Sequence, residues 1–144
     1  RDLVERYRER FVELSRRLGF RSLGVAEVSE SRARSAQERM AEEAAAISLL
    51  MPKDAVAVVL DERGKAIDSQ GLAKQLAAWR DESAADVVFI IGGADGLSPE
   101  LRRRTKIAFA FGAATWPHQL VRIMLMEQIY RAATILAGHP YHRA

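Results

Sequence analysis

The chain has 144 residues, 49% of them hydrophobic and 28% charged, the proportions of one globular domain able to bury its own core. It has no cysteine, which excludes disulfides, thiolate metal sites and cysteine nucleophiles and fits a reducing, cytoplasmic setting. No apolar run reaches the roughly 18 residues of a membrane span, and a net charge of +3 is a slight bias toward polyanions, well short of a dedicated nucleic-acid binder.

Residues 2–18 place Leu3, Val4, Tyr7, Phe11, Leu14 and Leu18 three or four apart, one stripe of a helix that Gly19 stops. Residues 23–28 (LGVAEV) are a strand candidate, and residues 29–35 a polar loop. Ser35 and Glu38 have capping-box spacing, so a helix is expected from there to about Met51, closed by Pro52. Residues 55–60 (AVAVVL) are an unbroken apolar run typical of a strand covered on both faces. Residues 61–68 read as a polar connection. Residues 69–83 form a second amphipathic helix with Leu72, Leu76 and Trp79 on one side.

Residues 86–91 (DVVFII) are another buried strand running into Gly92-Gly93-Ala94-Asp95-Gly96. Ser98 and Pro99 then provide the N-cap and first turn of a short helix. Residues 107–111 are a further strand, residues 113–117 a turn, and residues 117–137 a long, mostly apolar helix ended by Gly138. Strands alternating with helices imply an α/β fold, a mainly parallel sheet with helices on both faces. Such domains usually open on a strand, so a further N-terminal strand is expected ahead of Arg1. With no repeat or linker, residues 1–144 read as a single domain.

Several residues stand where chemistry would sit. The 92–96 loop lies at the carboxyl end of a buried strand, where ligands of open α/β sheets bind, though it is neither a dinucleotide nor a phosphate-loop fingerprint. It reads equally as a tight turn. Residues 111–117 (FGAATWP) are a second strand-end loop of small residues, suited to exposing main-chain groups to a flat heterocycle, or to a plain turn before a helix. Glu127 and Arg131 are spaced as an i,i+4 ion pair, with an interface or pocket role open beside it. His118 and Arg122 share that spacing, and a lone surface histidine is usually a bystander. Arg102, Arg103, Arg104 and Lys106 form a basic cluster, either a solvated face or a phosphate contact. The tail, His139-Pro140-Tyr141-His142-Arg143, has the composition of an ordered segment over an active site; with no carboxylate near it in sequence, no metal is expected.

Four motifs occur in order: Ile90-Ile91-Gly92-Gly93-Ala94-Asp95-Gly96-Leu97, Thr115-Trp116-Pro117-His118-Gln119-Leu120-Val121-Arg122, Glu127-Gln128-Ile129-Tyr130-Arg131-Ala132, and the tail. Together with Val59-Leu60-Asp61-Glu62-Arg63-Gly64-Lys65 they resemble the large-subunit (23S) rRNA pseudouridine N3-methyltransferase family of the SPOUT superfamily. The likeness is dense over residues 55–143 and looser in the first helices. It implies a C-terminal deep trefoil knot, within about residues 55–144, that holds S-adenosyl-L-methionine. The implied donor contacts are Leu60, Gly92, Phe111, Gly112, Ala113, Ala114, Thr115 and Trp116. It also implies a homodimer with its active site at the subunit interface, and a pseudouridine in the helix 69 loop of 23S rRNA, within the ribosome, as substrate.

On that resemblance His142 is the candidate general base or substrate-orienting group, Arg143 a partner for the developing anion or a phosphate, and Tyr141 a stacking surface. Ribosomes should be methylated far better than isolated transcript, because so small a charge gives little grip on free RNA. The competing function is a non-catalytic nucleotide- or cofactor-binding regulatory module using the same two loops. Methyl transfer to ribosomes separates the two. A small hydrolase fits poorly, since the strand ends offer glycine and threonine rather than a nucleophile on a sharp turn.

Overall fold

A computed structural model describes residues 2–20, 22–83, 86–92, 97–105, 107–112, 114 and 116–143. Its elements are α1 (Asp2–Ser15), α2 (Ala36–Leu50), β1 (Val56–Ala66), α3 (Ser69–Asp81), β2 (Val87–Ile91), α4 (Pro99–Arg104), β3 (Ile107–Ala110) and α5 (His118–Ala137). They fall into two compact units. One is helical and comprises residues 1–24, 67–84 and 119–144; the other contains the sheet and comprises residues 25–66 and 85–118.

In the sheet unit the strand order is β2-β1-β3, all parallel. The apolar runs put Ala57, Val59, Val88, Ile90 and Ala108 on one face, where they pack with Ala44, Ile47 and Met51 of the α2 region and with Leu97 and Leu101 at α4. Val58, which strand alternation points the other way, is also fully buried. A central strand without charge from 55 to 60 is therefore covered on both faces, as its composition predicts. Helix starts follow the sequence closely. Ser35 Oγ accepts from the Glu38 N–H, and Ser98 Oγ from the Leu101 N–H with Pro99 in the first turn. Each satisfies a backbone donor that the helix itself leaves unpaired.

In the helical unit α1 buries Val4 and Phe11, α3 buries Leu72, Ala73, Leu76 and Trp79, and α5 buries Leu125, Met126, Ile129, Tyr130, Ala132 and Ala133. Asp68 caps α3 through the Gly71 N–H at 2.7 Å. Cross-element contacts are specific: Ser69 Oγ donates to Gln128 Oε1 at 2.6 Å, Arg80 Nη1 donates to the Leu18 carbonyl at 2.7 Å, and the Tyr7 and Tyr130 rings are 6.1 Å apart. The last turn expected of the first helix is a 3-10 turn, Arg16–Leu18, ended by Gly19 at φ +86°. Only a residue without a Cβ takes that conformation readily.

Two expectations are corrected. Residues 23–28 do not form a strand. Among the described residues the segment pairs with no strand, Val25 is exposed, and the Leu23 carbonyl accepts Arg8 Nη1 instead. Alternating apolar residues make a strand only where a ladder partner exists. Conversely, the polar stretch 61–66 is not a connection but the second half of β1. Leu60 pairs with Phe109, the register slips, and Lys65 and Ala66 then pair with Phe109 and Ala110. Ladder bonds belong to the backbone, so polar side chains on the exposed side do not prevent them.

Candidate functional site

The slip in β1 is an irregular, bulge-like break in its pairing with β3, with residues 61–64 lying between the two residues that pair with Phe109, and such breaks re-aim side chains at sheet rims. Gly64 makes it feasible: a Cβ there would lie 2.7–2.8 Å from backbone atoms of Ala108 and Phe109. Ahead of the bulge, Leu60 is in register with Ile91 on one side and Phe109 on the other. Neighbouring strands lie about 4.8 Å apart, so Leu60, Gly92 and Phe111 come together at the carboxyl edge of the sheet. Leu60, Gly92 and Phe111 are each half-buried, and Ala114 is exposed. Gly112 has φ +91° with open space where a Cβ would stand. Trp116 Nε1 donates across the loop to the Phe111 carbonyl at 3.3 Å, while the indole keeps 44% of its surface exposed. Of the other expected donor contacts, Ala113 and Thr115 lie outside the described residues, as do residues 93–96 of the glycine loop.

Asp61, the next residue along β1, escaped the sequence reading. Its carboxylate accepts the Arg63 N–H at 3.0 Å and pairs with Arg102 Nη2 of α4 at 2.5 Å. Burial raises its pKa, but the Arg63 N–H and the Arg102 guanidinium outweigh that and hold the carboxyl below its ordinary value. Asp61 thus ties the bulge to the helix that follows the glycine loop. The only sequence signal was an acidic residue ending an apolar run.

The tail residues form a cluster in the helical unit. Gly138, at φ +69°, lets His139 N–H bond the Thr134 carbonyl and Gly138 N–H the Ile135 carbonyl, a Schellman turn that sends the chain back along α5. Tyr141 consequently meets residues ten to fourteen positions earlier. Its hydroxyl donates to Glu127 Oε2 at 2.7 Å, its ring meets that of Tyr130 edge-on at 4.9 Å, and the Arg131 guanidinium lies 4.8 Å from its centroid. The Glu127–Arg131 pair expected from spacing is present, with Arg131 Nη2 2.6 Å from Glu127 Oε2. Burial pushes Glu127 up, and the bonds from Arg131 and Tyr141 bring it below its ordinary value. The Tyr141 phenol is raised, first by burial and then by the adjacent Glu127 carboxylate.

Arg131 Nη1 stands 3.2 Å from His142 Nδ1. A guanidinium only donates, so in this arrangement Nδ1 accepts and the ring proton resides on Nε2. Arg143 is exposed, as is His118 at the start of α5. Among the described residues no group of three or more His, Asp or Glu is arranged to hold a metal ion, and no helix is long and apolar enough to cross a membrane.

The family model described as "Predicted SPOUT methyltransferase" matches residues 1–142. A Nitrobacter winogradskyi protein named ribosomal RNA large subunit methyltransferase H is 67% identical over 143 residues, which is 99% of this chain and 89% of that protein. Proteins of the same name from Rhodopseudomonas palustris strain BisB18 and a Bradyrhizobium species are 65% and 67% identical over 144 residues, all of this chain and 90% of each relative. The chain belongs to the SPOUT methyltransferase family, in the group of proteins named ribosomal RNA large subunit methyltransferase H.

Proposed function

We propose that this protein transfers a methyl group from S-adenosyl-L-methionine to 23S rRNA of the large ribosomal subunit, at N3 of a pseudouridine in the helix 69 loop, acting on the assembled ribosome in the cytoplasm. The observation that carries the reading is identity of 65–67% across essentially the whole chain with relatives whose name states that activity class. Residues 1–144 act in it as one SPOUT domain, with the knot within about residues 55–144, and the working form is a homodimer.

The carboxyl edge of the sheet fits the donor. Three adjacent strand ends converge there, and Gly112 leaves room for a ligand beside the main chain. Leu60, Gly92 and the run Phe111, Gly112, Ala113, Ala114, Thr115 and Trp116 would hold it, with main-chain groups reading the adenine. The donor supplies a methyl already activated by its sulfonium. The chain's own task is then to align N3 with that methyl and to favour the base once N3 has lost its proton to water, so that the new N3–CH3 bond replaces the donor's S–CH3 bond and positioning provides most of the rate.

The tail takes the substrate role. Tyr141, anchored through Glu127, Tyr130 and Arg131, stacks on the target base, and Arg143 balances the developing anion or a phosphate. With Arg131 donating to Nδ1, His142 presents an Nε2–H donor. That favours an orienting donor to a carbonyl oxygen of the base over a proton acceptor. His142→Ala should lower kcat on ribosomes by about a hundredfold at saturating donor, and His142→Asn, which keeps an N–H donor, should recover part of it. Unchanged turnover in His142→Ala would reject any role for this side chain in the reaction. Isolated transcript should be a poor substrate beside ribosomes.

A further inference from the structure

The sheet unit carries a feature that the donor site does not use. Residues 73–144 hold nine basic and six acidic residues against an even thirteen and thirteen before them, and four of the nine are Arg102, Arg103, Arg104 and Lys106. Lys106 lies outside the described residues. The bulge in β1 brings a further cation to the same place. Arg63 Nε lies 3.6 Å from Asp61 Oδ1, and Arg102 Nη2 holds the other oxygen of that carboxylate. One half-buried acid therefore gathers two guanidinium groups from different elements. Arg102 is partly covered, at 35% side-chain exposure, whereas Arg63 keeps 72% of its side chain in solvent. Arg103 and Arg104 are exposed and make no ion pair with a described residue. Against these four cations stand Asp61, Glu62 and Glu100, so the local balance is positive.

An internal salt bridge alone would need Arg102 and Asp61, not two further exposed arginines on the same short helix beside Arg63. Planar guanidinium groups pair with phosphate oxygens through two parallel N–H bonds, and one already held by a carboxylate loses less freedom on binding. We propose that Arg63 and Arg102, Arg103 and Arg104 form a docking surface for the sugar–phosphate backbone of the RNA substrate, with Asp61 as the positioning residue that sets Arg102 and the bulge. Because it deepens the reading above, it depends on that reading for the identity of the RNA. A surface of this size engages only a few phosphates, in keeping with an enzyme that needs the ribosome's own shape to complete recognition.

The test is Arg103→Gln/Arg104→Gln, two exposed substitutions expected to leave thermal unfolding within a degree or so of the parent. With ribosomes as substrate, KM should rise about tenfold at unchanged kcat and donor affinity. The dependence of log kcat/KM on log salt should become shallower by about one to two, the contribution of one or two lost phosphate contacts. Arg103→Lys/Arg104→Lys should restore most of the salt dependence. Binding of a fluorescent RNA stem-loop, followed by anisotropy at several salt concentrations, reads the surface directly and needs no catalysis. If the parent methylates no ribosomal RNA, the proposed function fails, and anisotropy still decides the surface. Parental KM, salt dependence and stem-loop affinity in the glutamine variant overturn the inference. So does weakened ribosome binding with unchanged RNA binding, which would assign the face to a protein partner.

Discussion

Single residues carry more of this molecule than their side-chain size suggests. Gly64 is the clearest, because its missing Cβ lets β1 pass within van der Waals contact of the β3 backbone. Gly64→Ala should cost about 2–3 kcal/mol, the upper range for overpacking, since backbone rather than a flexible side chain must yield. Thermal unfolding reads this, and an unaltered midpoint would mean the bulge adjusts freely. Glu127 is the second case. It accepts from Arg131 and Tyr141 together, so Glu127→Gln loses charge-assisted bonds and should destabilise by about 1–3 kcal/mol near neutral pH. Its pH dependence takes its sign from the lowered pKa of Glu127 in the folded state. The contribution is fully present above the ordinary unfolded value of about 4.3 and is lost as pH falls through the lower folded value. Urea midpoints of parent and variant should thus differ at pH 6 and converge in acid. A constant difference would show that charge is not the cause.

At the scale of elements, local signals held wherever local chemistry decides. Ser35 and Ser98 cap the helices that their positions announced, Asp68 adds a cap that the polar stretch before α3 did not announce, and Gly19 and Gly138 end their helices with positive φ. Ser98→Ala should lower stability by about 1–2 kcal/mol, the higher end for a cap because Ser98 is buried and α4 has only six residues to share the loss. Chemical denaturation would show it; a change below a few tenths of a kcal/mol would mean Pro99 and the Asp61–Arg102 pair hold α4 without the cap. The strand at 23–28 and the first six residues of the connection at 61–68 failed for one shared reason. Whether an extended segment is a strand depends on a neighbour with free N–H and C=O groups, and no window of sequence contains the neighbour.

Across the whole chain, the proposed dimer sets the test. Sedimentation should give a particle of twice the 16.0 kDa chain, and a monomer at micromolar concentration would remove the basis for an interface-built site. Apart from the strand expected at 23–28, the order of helices and strands was readable along the chain, as were the caps at Ser35 and Ser98, the glycine-ended helices and the ordered motifs that mark the family, because each rests on residues within a few positions of one another. So were the ends of β2 and β3, to within a residue, since a strand stops where its apolar run stops. The three-dimensional arrangement alone decided the rest. It set the slipped pairing of β1 on β3 around Gly64, the meeting of Asp61 with Arg102, and the doubling back of Tyr141 and His142 onto Glu127 and Arg131. Each joins groups whose contact depends on how the backbone folds in space, a distance that spacing along the chain does not encode.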